Sequence, residues 1–221
     1  MGPNPTVQTQ DGFEARSLAC RRAGRLVFEG LDFSLAPGQL LVLTGANGSG
    51  KSSLLRLAAG LLSPAGGALL RAGVDLAKDR DSHLADLHFV GHKNALKPTL
   101  SAAANLEFWA RFLGDAGNVE QGLDAMGLGG LADLPAGELS AGQQRRLGLA
   151  RLFLRPATLW LLDEPTVGLD QASRTRLADA MRRHLECGGM ILAATHEDLG
   201  LSGGVLELER FAPRTALEEW L

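Results

Sequence analysis

The apolar run Gln39-Leu40-Leu41-Val42-Leu43-Thr44 passes directly into Gly45-Ala46-Asn47-Gly48-Ser49-Gly50-Lys51-Ser52, and no other stretch restricts the fold of this chain so closely. The run has the continuity of a strand buried on both faces, the habit of parallel sheets. A helical pattern starts at Lys51 and continues to Ala59, until Ser63-Pro64-Ala65-Gly66-Gly67 breaks it. Glycines at this spacing permit φ > 0, so successive backbone amides turn inward around an anion. The helix start adds the positive end of its dipole. Lys51 supplies a charge for terminal phosphates, and the Ser52 hydroxyl is a hard oxygen suited to Mg²⁺. The plain alternative is a turn in a chain with 28 glycines. The strand before and the helix after favour the phosphate loop.

A second apolar strand, Thr158 to Leu162, ends in Asp163-Glu164. Ligands gather beyond the carboxyl ends of such strands. Asp163 is placed to hold Mg²⁺, and Glu164 to take a proton from an attacking water. Two carboxylates after a strand are a weak signal alone; paired with a phosphate loop they complete a phosphoryl-transfer site.

The remaining pattern predicts an α/β fold. Short alternating segments over residues 13 to 36 read as antiparallel strands, and Ala68 to Val74 as one more. Residues 101 to 132 are helical in spacing, capped by Ser101, with Phe108 assigned to the core and Trp109 open between core and partner face. Residues 140 to 154 form a helix capped by Ser140, Asp170 to Glu186 an amphipathic helix, and Met190 to Ala194 a buried strand. Residues 1–221 thus form a single domain. Its core comprises 13–85 and 139–205, a helical subdomain of about 86–138 is inserted between them, and 206–221 form a C-terminal tail whose Trp220 hints at docking.

Composition narrows the function. No apolar stretch reaches the roughly 18 residues of a membrane span; the most apolar region, Leu147 to Leu162, is broken by Arg151 and Arg155. A net charge of −3 provides no general field for nucleic acid. Two cysteines, Cys20 and Cys187, make no metal spacing and suit a reducing compartment. The first residues carry no signal-peptide pattern and read as a short polar tail. His83, His88 and His184 read as loop or helix-surface residues, and Cys20 as a small buried one.

Leu139-Ser140-Ala141-Gly142-Gln143 precedes the basic helix start Gln144-Arg145-Arg146. With the phosphate loop before it and the acidic strand after it, this string resembles the LSGGQ signature of the ATP-binding subunits of ABC transporters. The resemblance covers nearly the whole chain: Val167-Gly168-Leu169-Asp170 resembles the family's D-loop, and His196 after Ala194-Thr195 its switch histidine. It implies a P-loop NTPase (RecA-like) core with a parallel sheet, an antiparallel β subdomain and an inserted α-helical subdomain. It further implies a head-to-tail pair with a second copy of the ATPase subunit. ATP and Mg²⁺ would lie against Lys51, Ser52, Ser53 and Asp163 of one copy, with Ser140, Gly142, Gln143 and Asp170 closing from the other. Glu164 polarises the water, and His196 steadies the γ-phosphate.

Two departures stand out. The position where the family stacks an aromatic on adenine falls on Arg22, beside Arg21, in a chain without tyrosine; a guanidinium can stack there, and a solvated basic loop fits equally. The family's metal-touching glutamine is replaced by His92. Imidazole is a poorer partner for Mg²⁺, so His92 is expected to reach the metal or phosphate through water. The string Gly91-His92-Lys93-Asn94-Ala95-Leu96-Lys97-Pro98-Thr99-Leu100, with LSAGQ and Asn105-Leu106-Glu107-Phe108-Trp109, is similar to the ATPase subunit of bacterial cytochrome c maturation, described as a haem exporter. That resemblance implies integral membrane subunits, an indirect link to haem and a periplasmic haem chaperone, and a place on the cytoplasmic face of the cell inner membrane. The alternative is the ATPase of another small-molecule exporter.

Overall fold

Two sheets of opposite character meet across one helix. A computed structural model describes residues 11–114 and 118–213; the N-terminal polar tail and Trp220 lie outside them. The first sheet is antiparallel. Strands β1 (Phe13–Arg22) and β2 (Arg25–Leu35) form a hairpin that turns at Ala23-Gly24, and β4 (Gly66–Arg71) and β5 (Val74–Asp75) extend it in the order β2-β1-β4-β5. The antiparallel strands expected over residues 13 to 36 are these two, β1 and β2.

The second sheet is parallel. It contains β3 (Leu40–Thr44), β6 (Leu87–Val90), β7 (Leu159–Asp163), β8 (Met190–Ala194) and β9 (Gly204–Glu207), in the order β6-β7-β8-β3-β9. Every residue of β7 and β8 is buried, as continuous apolar strands require. Two expected boundaries shift. Leu87–Val90 pairs with β7, so the helical region begins after Val90 rather than at about 86. Gly204–Glu207 pairs with β3, so part of the expected tail is a sheet edge. Both strands have four residues, too few for a period to show in sequence.

Helix α1 (Lys51–Ala58) packs on the face shared with the antiparallel sheet, where Leu54 and Leu55 join Phe28 and Leu161 in one core. After the short α2 (Arg80–Ala85), helices α3 (Ala102–Phe112), α4 (Val119–Ala125), α5 (Ala141–Ala150) and α6 (Gln171–Glu186) supply the opposite core with Leu106, Leu147 and Leu177. The register aligns Leu43 and Asp163 with Ala194. The segments that follow these strands, carrying Gly45, Glu164 and His196, therefore leave the sheet at one edge.

Phe108 is not in the core: it is 58% exposed. Adjacent residues on a helix point apart, and here Trp109 faces inward. Its indole N–H donates to Ala95 O at 3.4 Å, and the Arg151 guanidinium lies 4.3 Å from its ring centroid. Phe112, one turn beyond Phe108, stacks on it at 6.4 Å and is 71% exposed. The histidines also differ from expectation. His83 and His88 are each only 4% exposed, and each uses Nε2 against a carbonyl, of Ala58 and of Arg155. His184 stacks on Trp160 at 4.1 Å. Cys20 is buried, as expected.

Candidate nucleotide site

The phosphate loop is shaped by glycines for two reasons. Gly45, Gly48 and Gly50 have φ of 137°, 90° and 104°, which L side chains avoid. A Cβ on Gly50 would also fall 2.8 Å from Val27 and 2.9 Å from Phe28, so the antiparallel sheet presses directly on the loop. The first intrahelical bond runs from Leu54 N–H to Gly50 O at 2.8 Å. The amides of Lys51, Ser52 and Ser53 are then the free donors of a helix start. The Ala46 N–H donates to Glu209 Oε1 at 2.6 Å; nothing in the sequence pattern pointed to that contact.

Lys51 is nearly buried, and its ammonium spends three donors locally. It reaches Gly45 O at 2.5 Å, Ala46 O at 3.2 Å and His196 Nε2 at 3.0 Å. An ammonium only donates, so Nε2 accepts and the imidazole carries its proton on Nδ1. Thr195, which precedes His196, accepts the Glu197 N–H on its hydroxyl at 3.0 Å.

Asp163 is the last residue of β7 and is buried; Glu164 follows in the left-handed region at φ 48°. That conformation costs a non-glycine residue on the order of 1–3 kcal/mol and persists only where neighbours impose it. Here the Glu164 N–H donates to Ala194 O at 2.8 Å. On the other side Arg145 Nη2 donates to Glu164 O at 2.8 Å and to Asp163 O at 2.9 Å. Arg145 was read only as part of a basic helix start. Its signal was the helical wheel: Arg145 lies at i, i+3, i+4 with buried Gly148 and Leu149.

These elements enclose a cavity of about 410 Å³ lined by Asn47, Gly48, Gly50, Lys51, Ser52, Ser53, His92, Asp163 and Glu164. The residues fit Mg²⁺ in a particular way. Among the described residues no group of three His, Cys, Asp or Glu side chains could hold a metal. The hydroxyl of Ser52 and the carboxylate of Asp163 are among the oxygens that line the cavity, and Mg²⁺ uses few protein oxygens when phosphates and waters supply the rest. Ser53 also bonds the Cys20 thiol, whose pKa burial raises.

The signature residues lie elsewhere. Ser140 caps α5 in a full capping box: its N–H donates to Gln143 Oε1 at 2.7 Å, and the Gln143 N–H to its Oγ at 3.2 Å. A Cβ on Gly142 would meet Gly168 O at 2.9 Å, so this glycine also lets α5 approach the loop before α6. Asp170 caps α6 by accepting the Ser173 N–H at 2.8 Å, and bonds to Ser173 lower its pKa. Arg22 is exposed at the end of the β1–β2 hairpin, opposite Arg25. Neither these four residues nor Arg22 lines the cavity.

The profile of the ABC transporter family matches residues 28–167. The chain therefore belongs to the ABC transporter family, among its ATP-binding proteins. It is 51% identical over 206 residues to the cytochrome c biogenesis ATP-binding export protein CcmA of Paramagnetospirillum magneticum, covering 90% of this chain and 95% of that one. Against the protein of the same name from Rhodospirillum rubrum it is 50% identical over 204 residues, covering 91% and 87%. In fold it resembles an ABC transporter ATP-binding protein of Pyrococcus furiosus, with a TM-score of 0.79 at 24% identity over 92% of this chain and 100% of the other.

Proposed function

We propose that this chain is the ATP-hydrolysing subunit of an ABC exporter that serves cytochrome c biogenesis, working as a head-to-tail pair on the cytoplasmic face of the inner membrane. The observation that carries the ATPase is the single cavity that holds Lys51, Ser52, Asp163 and Glu164. The link to cytochrome c rests on the near 50% identity to proteins named for it.

On this reading the amides at the start of α1 and the Lys51 ammonium bind the β- and γ-phosphates. Ser52 and Asp163 would supply the oxygens for Mg²⁺, and His92 lines the same cavity. The metal, when bound, neutralises charge on the β- and γ-oxygens. Glu164 orients the attacking water and accepts its proton, while His196 leaves Lys51 and steadies the γ-phosphate by donating an N–H, which requires the ring proton on the nitrogen that faces it. Ser140, Gly142 and Gln143 close over the triphosphate of the opposite copy, with Asp170 at the seam. Arg22 is the candidate for stacking on adenine.

A groove of about 620 Å³, lined by Leu84, Leu87, Phe89, Trp109, Phe112 and Leu113 among others, is the proposed seat of the membrane subunits. No described helix is long and apolar enough to cross a membrane, so such subunits would provide the anchor. Haem and a periplasmic haem chaperone enter the cycle through them.

The test is deletion of the gene, with c-type cytochromes assayed beside other haem proteins. Loss confined to c-type haem attachment, restored by the wild-type chain but not by Lys51→Ala, supports the reading. Normal c-type cytochromes remove it.

A further inference from the structure

We propose that Arg145 is a positioning residue that makes the alignment of Glu164 depend on how α5 is seated. This rests on the reading of Glu164 and Ser140 given above and adds the part that joins them. Arg145 is 5% exposed, and its guanidinium makes four hydrogen bonds to two separate segments. Nη2 holds the carbonyls of Asp163 and Glu164; Nη1 donates to Gly91 O at 3.0 Å and Asn94 Oδ1 at 3.1 Å. One cation thus joins the start of α5, the acidic turn after β7, and the loop that carries His92.

The arrangement is costly for a merely structural tie. Its hydrogen-bond partners are carbonyl and amide oxygens rather than carboxylates, and its Nε is buried without an acceptor among the described residues. Burial lowers its pKa, opposed by the charges of Asp163 and Glu164. An incompletely satisfied buried cation is a poor way to hold a fold together. It suits the control of a strained residue. Glu164 stays in its left-handed conformation between two contacts, Ala194 O on its N–H and Arg145 on its carbonyl.

Ser140 and Arg145 belong to the same rigid first turns of α5, fixed by the capping box. A shift of the Ser140 end is therefore felt at the Glu164 carbonyl. In the head-to-tail pair Ser140 reads nucleotide held by the other copy. Arg145 then passes the occupancy of one site to the carboxylate of the other, and Asn94 brings the His92 loop into the same unit.

The test uses the full chain purified with its membrane subunits and follows ATP turnover for wild type, Arg145→Ala, Arg145→Lys and Asn94→Ala. For Arg145→Ala, kcat is expected to fall about 10- to 100-fold, as misplacement of a reacting group by about 1 Å does. KM for ATP is expected to stay within about twofold, and the Hill coefficient to fall from about 2 toward 1 for two sites. Arg145→Lys recovers part of kcat. If Arg145→Ala does not fold, Asn94→Ala removes one acceptor and is expected to lower kcat at constant KM. Unchanged kcat in the variants overturns the proposal, as does a joint loss of kcat, ATP affinity and thermal stability that lysine does not rescue better than alanine. A wild-type complex with no ATP turnover would instead remove the underlying reading of the site.

Discussion

Lys51 Nζ and His196 Nε2 lie 3.0 Å apart, although 145 positions separate them in the chain. The contact exists because β3 and β8 are parallel neighbours whose ends are in register, so the residues that follow them emerge side by side. When a phosphate arrives, the Lys51 ammonium can pass to its oxygens, and the imidazole can follow only by presenting an N–H to them. His196→Ala is expected to leave ATP binding within about threefold and to lower kcat about 10- to 100-fold, the range of a positioned polar group in the transition state. Weakened ATP binding with kcat unchanged would show that His196 acts in the ground state.

Gly50 should tolerate no side chain. Its φ of 104° and the approach of Val27 and Phe28 within 3 Å act together. Gly50→Ala is expected to abolish binding of a fluorescent ATP analogue and to lower stability by about 1–3 kcal/mol through overpacking. Gly50→Ala combined with Val27→Ala restores stability more than binding, because the phosphate cradle still needs the positive φ.

Gly142→Ala separates packing from nucleotide contact. The added methyl would meet the carbonyl of Gly168 at 2.9 Å, backbone that cannot swing aside. The expected result is a loss of about 1–3 kcal/mol in urea unfolding of the isolated chain without nucleotide. Unchanged stability would place the glycine's role wholly at the nucleotide.

Burial makes the fold sensitive to acid through His88. Desolvation lowers its pKa from 6.5 to about 4, and desolvation also lowers those of His83 and His184. Between the folded and unfolded values the unfolded chain binds more protons, so stability rises with pH in that window. Stability attributable to His88 is thus complete above about pH 6.5 and is lost as pH falls toward 4, by about 3 kcal/mol at most. Urea midpoints at pH 7 and pH 5 check this; His88→Gln should flatten the difference.

The residues legible in sequence were those whose chemistry sits in one short string. Gly45 to Ser52 and Asp163-Glu164 each end a strand that an apolar run announces, so their position at the sheet edge followed from the run itself. Arg145 was missed because its function joins three strings distant in the chain, and no local pattern encodes their meeting. The buried histidines were missed for a related reason: an imidazole that donates to a carbonyl can be buried like an apolar residue, and the carbonyls of Ala58 and Arg155 are 25 and 67 positions away. Phe108 was misassigned because Phe108 and Trp109 are equally apolar and only tertiary packing selects which of two adjacent helical positions faces in.

The central claim is that Glu164 activates water for a triphosphate held in the cradle and closed by a second copy. The most direct measurement is the oligomeric state of Glu164→Gln with ATP and with ADP, read by light scattering and paired with phosphate release. A dimer that forms with ATP, persists without phosphate release and dissociates with ADP is the predicted result. A variant that stays monomeric with ATP while hydrolysing at the wild-type rate would contradict the account.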